Sequence, residues 1–177
     1  MYKVSCLRCG IFLITDEAKL ELQSTAKGNR VIANFSNWLS NNEQYEISSL
    51  DLVNLLNLSS PSFIERSDSL LKFIAKNTHD NLGRSVNFRD PYNNKIDQKW
   101  VSKSSSVDDS DLLVIIEYLE KLERIKKSYE GREVYKILPG GWIRLEELSK
   151  VNIDSTQAFV AMWFNDAMDP ISLVSQR

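Results

Sequence analysis

The stretch SVDDSDLLVIIEYLEKLERI, residues 106–125, constrains the fold more than any other part of the chain. Leu112, Ile115, Ile116, Leu119 and Leu122 recur at the i, i+3, i+4, i+7 spacing of a helix with one apolar face. Such a face must be buried against something. Directly after it, SYEGREVYKIL reads as two short strands with Glu130 and Gly131 at their tip, and PGGWIRLEELSK returns to helix. A hairpin is therefore expected between two helices.

The preceding chain supplies the partners. Residues 1–15 read as strand, tight turn, strand, because Tyr2 and Val4, then Phe12 and Ile14, alternate with polar neighbours around Gly10. Thr15 is placed to cap a short helix, DEAKLELQS, whose Asp16 and Glu17 suit the positive end of its dipole. Ala18, Leu20 and Leu22 are expected to face inward. Ile32, Phe35, Trp38 and Leu39 predict a second helix over 31–39. A third follows in SSLDLVNLLNL, with Ser48 and Asp51 in capping-box register. The fourth lies in SSPSFIERSDSLLKFIAKNT, with Pro61 in its first turn, Ser62 and Glu65 as a second capping box, and Ile64, Leu70, Leu71 and Ile74 as its buried stripe. Residues 79–106 are polar and turn-rich and predict a long loop with a short strand near 86–88. The fold class expected is mainly α with small β elements, α+β. Residues 1–22 form a cysteine knuckle hairpin and short helix, 23–150 a helical and winged-helix-like region, and 151–177 the start of a further domain.

With 22 basic and 24 acidic side chains in 177 residues the net charge is −2, so no global bias toward nucleic acid or anionic membrane exists. No run approaches the roughly 18 apolar residues of a transmembrane helix. The first apolar stretch, residues 10–14, is too short for a leader peptide and follows Arg8, so a cytoplasmic location is expected.

Cys6-Leu7-Arg8-Cys9-Gly10 is half of a zinc knuckle, the glycine permitting a turn that lets two thiolates face one ion. Structural zinc takes four ligands, and the chain has no further cysteine and a single histidine, His79. Three readings stay open for Cys6 and Cys9: a metal-free knuckle, a zinc site completed by His79 and a carboxylate or by a second chain, and a redox dithiol. His79 is also well suited to the negative end of the fourth helix.

The order helix, helix, hairpin, helix is that of a winged helix, with Lys126, Lys127, Arg132 and Lys136 on the wing as candidate nucleic-acid contacts. The helix before the wing carries Asp108, Asp109, Asp111, Glu117, Glu120 and Glu123 against Lys121 and Arg124, which opposes phosphate contact. A packing or protein-interaction role is favoured. The pairs Asp108/Asp109 and Glu146/Glu147 read as helix-start charges and a solvated face. Trp38, Trp100, Trp142 and Trp163 read as packing. No P-loop, GxGxxG or GxSxG is present.

Three stretches together resemble a group of bacterial proteins: CLRCGIFLIT, the helical segment NFSNWLSNNEQYEISSLDLVNLLNLSSPSFIERSDSLLKFIAKNT, and YLEKLERI with YKILPGGWIRLEELSKVNIDSTQAFVAMWFNDAMD. In that group the last segment opens a C-terminal domain similar to nucleoside 2-deoxyribosyltransferases. The resemblance implies a Rossmann-like domain of which only the first strand, in QAFVAMWF, lies in this chain. In the related transferases a glutamate nucleophile and its partner carboxylate lie downstream of that strand, and no position here matches them. The resemblance therefore implies a non-enzymatic regulatory or interaction module, with a protein partner or self-association through the C-terminal strand. A winged-helix DNA-binding regulator, and an N-glycosidic-bond enzyme completed by another chain, are the alternatives.

Overall fold

The alternation at the N-terminus resolves into an antiparallel hairpin of β1 (Tyr2–Cys6) and β2 (Gly10–Ile14), with Cys6 opposite Gly10. Gly10 turns the corner at φ +84°, a conformation that an L side chain strains to reach. The structure, a computed structural model, describes residues 1–24, 28–42, 45–78, 81–128 and 132–150. His79, the hairpin tip at Glu130 and Gly131, and the strand expected in 151–177 lie outside the described residues.

Among the described residues the fold is mainly α with two three-stranded sheets, an α+β architecture. Helices α1 (Asp16–Ser24), α2 (Asn29–Asn41) and α3 (Ser49–Leu56) follow the hairpin, and β3 (Glu46–Ile47) adds to β2 in parallel. Then come α4 (Phe63–Thr78), β4 (Ser85–Asn87), α5 (Gln98–Lys103), α6 (Asp109–Lys121), β5 (Ile125–Lys127), β6 (Val134–Ile137) and α7 over residues 139–150. The second sheet has the order β4-β6-β5, all antiparallel.

Local signals in the sequence account for most boundaries. The Thr15 hydroxyl accepts from the Ala18 N–H at 3.3 Å. Ser48 and Asp51 form a full capping box at the start of α3. Ser62 and Glu65 form another at α4, the Ser62 N–H donating to Glu65 at 2.7 Å and the Glu65 N–H to the Ser62 hydroxyl at 3.2 Å. Pro61 therefore precedes the cap instead of sitting in the first turn.

Two apolar clusters form. One gathers Phe12, Ile14, Ala18, Phe35, Leu39, Ile47, Leu52 and Leu55. The other gathers Leu70, Leu71 and Ile74 of α4, Trp100 and Val101 of α5, the inner stripe of α6, and Val86, Phe88, Tyr135 and Ile137 around the second sheet. Phe88 stacks on Trp100 at 4.2 Å between ring centres, and Phe73 meets the same indole edge-on at 4.7 Å.

Three residues expected inside lie outside. Leu20, Ile64 and Leu122 are 67%, 44% and 43% exposed. Leu20 lies on the far side of α1 from Ala18 and Leu22, at about 100° per residue. Ile64 is in the first turn of α4 and Leu122 is the C-cap of α6, at the ends of their stripes. The loop expected over 79–106 also contains a helix, α5, that the sequence pattern did not announce. Asp97 caps its start through the Lys99 N–H at 3.0 Å. Its end closes with Ser105 in the left-handed region at φ 49°, the Ser105 N–H reaching Ser102 O and the Ser106 N–H reaching Val101 O, both at 2.9 Å.

A polar seam joins the clusters. Ser102, Ser104, Ser105 and Ser106 are all buried. The carbonyls of this turn accept from Asn37 and Arg30 of α2, Arg66 of α4 and Arg8 of the knuckle turn. Cationic donors at the carbonyl end of α5 also complement its dipole. Asp111 Oδ2 takes Arg66 Nη2 at 2.6 Å, the Val107 N–H at 2.9 Å and Arg30 Nη2 at 3.1 Å. A second carboxylate, the buried Asp68 of α4, holds Arg144 of α7 by two bonds at 2.7 and 3.1 Å.

Pro139, Gly140 and Gly141 bring α7 directly onto the end of α6. A Cβ on Gly141 would collide with the Arg124 carbonyl oxygen and would lie 2.7 Å from Ile137 Cγ2. Gly141→Ala is therefore expected to lower stability by about 1–3 kcal/mol, as overpacking does, and chemical denaturation followed by circular dichroism measures it. Asp111 supplies a pH test. Partial burial opposes its charge, but the Arg66 bond, the Val107 N–H and the two guanidiniums win and hold its carboxyl below the ordinary value. Its contribution is thus present above the unfolded-state value of about 4 and is lost as pH falls through the folded value. Asp111→Asn should reduce stability at neutral pH and shrink the loss below about pH 4; an unchanged acid limb would show that Asp111 is not its source.

Candidate functional site

The tight turn between β1 and β2 positions two thiols. Cys6 and Cys9 are both free and half-buried, with Sγ atoms 2.9 Å apart. The Cys9 N–H also donates to Cys6 Sγ at 3.1 Å, and Cys9 Sγ lies 3.5 Å from the Ser36 hydroxyl of α2. These contacts divide the pair. The Cys9 S–H donates to Cys6, and the backbone N–H groups of Cys9 and Arg8 and the Arg8 guanidinium add to it, so Cys6 is pulled down to about 5 despite its burial. The same hydrogen bond, together with burial, pushes Cys9 up, because losing its proton would set two thiolates side by side. The pair gives up one proton readily and keeps the second.

Two thiolates supply half of a tetrahedral zinc shell. No group of three or more His, Cys, Asp or Glu that could hold a metal occurs among the described residues. The separation of 2.9 Å is also shorter than the roughly 3.8 Å edge of a tetrahedron with Zn–S of 2.3 Å. A zinc ion here would have to open the turn and draw ligands from beyond it. As a dithiol, the pair has a ready thiolate with a resolving thiol beside it. A cavity of about 370 Å³ adjoins it, lined by Val4, Phe12, Leu22, Ile32, Phe35 and Ser36 with the two cysteines.

The wing residues separate. Lys126 and Lys136 face one another across β5 and β6 on the outer face of the sheet. Lys127 turns to the inner face, where it pairs with Glu133 at 3.3 Å and lies over the Tyr135 ring. Arg132 lines a polar cavity of about 430 Å³ with Arg89, Asp90 and Asn94. Glu133 is held below its ordinary value: partial burial opposes this, but Tyr135 and Lys127 donate to it. The four wing cations therefore do not form one face.

One feature escaped the sequence pattern. Lys72 and Lys76 of α4, Lys99 and Lys103 of α5, and Arg8 of the knuckle turn converge on two adjoining cavities. The i, i+4 lysine spacings within α4 and α5 were visible, but their meeting depends on how those helices pack. No family model, curated protein or solved structure matches the chain.

The alkylation rate of Cys6 by iodoacetamide is expected to reach half its maximum near pH 5. Cys9→Ala, which removes the S–H donor, should move that midpoint upward toward the ordinary thiol value of about 8.5. Peptide mapping by mass spectrometry reads both. Equal reactivity of the two cysteines would contradict this division of roles.

Proposed function

We propose that this chain is a non-enzymatic regulatory or interaction module built on a winged helix. The topology supports that architecture: α4, β4, α5, α6, β5, β6 in chain order, with the first strand pairing the last in a sheet ordered β4-β6-β5. In it α5 and α6 are the helix pair, and α6 is the helix that a DNA-binding relative would place in the major groove.

The outer face of α6 carries the reading. Leu113 and Val114 are 42% and 55% exposed there. Glu117 and Lys121, next along the same face, neutralise one another at 2.9 Å. An apolar face without net positive charge suits a protein surface and offers phosphate no attraction. The wing offers Lys126, which is exposed, and Lys136, which is partly buried, too few for the several phosphate contacts of a DNA-binding face. On the resemblance described above, the natural partner is a nucleoside deoxyribosyltransferase-like domain, which this module would position or regulate.

The tests separate three classes of function. A photo-crosslinking residue at position 113 or 114 should give a discrete protein adduct in the host cell. Titration with random duplex DNA at low salt should stay flat at micromolar protein. Incubation with nucleosides, deoxynucleosides and NAD should release no base. A salt-dependent duplex affinity that Lys126→Ala and Lys136→Ala abolish would replace this reading with DNA binding, and mutation-sensitive base release would replace it with catalysis.

A further inference from the structure

The chain carries two fewer basic than acidic side chains, yet one region gathers five cations around two adjoining cavities. A cleft of about 380 Å³ lies where the knuckle turn meets α4 and α5, and a second cavity of about 200 Å³ continues it. The two share Phe73, Lys76 and Lys103. Among the described residues no carboxylate lines either one.

The cations differ in how they are held. Lys103 donates to the Ser40 carbonyl and to Asn41 Oδ1, the latter at 2.8 Å, and its ammonium lies 5.5 Å from the centre of the Phe73 ring. Lys99 shares its charge with Asp97 at 3.0 Å. Lys72 and Lys76 have no acidic partner among the described residues. Arg8 is anchored to the carbonyls of Ser106 and Val107, and its buried Nε has no hydrogen-bond partner among the described residues. Lys72, Lys76 and Arg8 thus bring like charge to one region, which an entering anion would relieve.

Apolar groups accompany the charge. Leu7 is 89% exposed and Ile11 is 47% exposed at the lip, and the half-buried Phe73 contributes to the lining. A free inorganic anion would leave these uncovered, whereas a ligand with an apolar or aromatic body would bury them. The volume is that of a small-molecule cleft and not of an extended surface.

We propose that this cleft binds a small phosphate-bearing molecule with an aromatic or apolar body, of the nucleoside diphosphate class. Its phosphates would meet Lys72 and Lys76, and its body would cover Phe73, Leu7 and Ile11. Because Leu7 and Arg8 stand between Cys6 and Cys9, the same turn that sets the thiol geometry shapes one wall of the cleft. The site is independent of the outer face of α6, so either reading can fail without the other.

Calorimetric titration of the full chain under reducing conditions tests it, with ADP, pyrophosphate and adenosine as separate probes. ADP is expected to bind more tightly than pyrophosphate, and adenosine at least about tenfold more weakly than ADP. Raising NaCl from about 50 to 300 mM should weaken ADP and leave adenosine unchanged. The exposed double substitution Lys72→Ala with Lys76→Ala should weaken ADP by about tenfold or more, whereas Lys76→Arg should retain most of the affinity. Lys126→Ala with Lys136→Ala should change it less than about twofold, and thermal melts should show all variants folded. The proposal is overturned by any of three results: no heat with ADP or pyrophosphate at about 1 mM, equal weakening by the wing substitutions, or binding confined to anionic vesicles or to single-stranded DNA.

Discussion

The arrangement of the described residues depends on how one carboxylate, Asp111, and one buried serine turn are satisfied. Apolar clusters attract without direction, so two of them could meet in many orientations. Hydrogen bonds to a partly buried charge and to buried carbonyls allow few. Asp111 Oδ2 binds Arg66 from α4, Arg30 from α2 and the Val107 N–H, and the same two arginines also reach the carbonyls of Ser104 and Ser105. Removing one partner would leave a buried charge or carbonyl unpaired, a far larger loss than the net gain from the bond itself. The seam thus sets how the N-terminal cluster sits on the second one.

That seam also explains where the chain's positive charge goes. Arg8, Arg30, Arg66, Arg124 and Arg144 are all engaged with carbonyls or carboxylates within the fold. Guanidinium suits this role because it is planar, always charged and offers several donors at once. The surface charge that remains is largely lysine, and α4 and α5 collect four of those lysines on one side of the seam. A near-neutral chain therefore contains a strongly cationic cleft, a wing whose outer face carries Lys126 and Lys136, and an apolar face on α6.

Much of this was legible from local patterns. The hairpin around Gly10, the two capping boxes and the inner stripe of α6 depend on residues within a few positions of one another. The thiol pair was legible as a pair. Its asymmetry was not, because the short Sγ–Sγ distance and the placement of Ser36 come from turn geometry and from α2. Helix α5 was hidden for a related reason. Six residues give too short a window for periodicity, and the donors that stabilise its end lie about 38 to 99 positions away in sequence.

By itself the sequence determined the type of nearly every regular element, the α+β class and the dithiol turn, because capping, turn formation and amphipathic periodicity are short-range effects. Only the tertiary structure decided that a serine-rich segment would be buried, that five distant cations would line two adjoining cavities, and that Leu20, Ile64 and Leu122 would stay in water. Those outcomes follow from which helix faces meet across the polar seam, and long-range pairing of donors with acceptors settles that, not any local pattern.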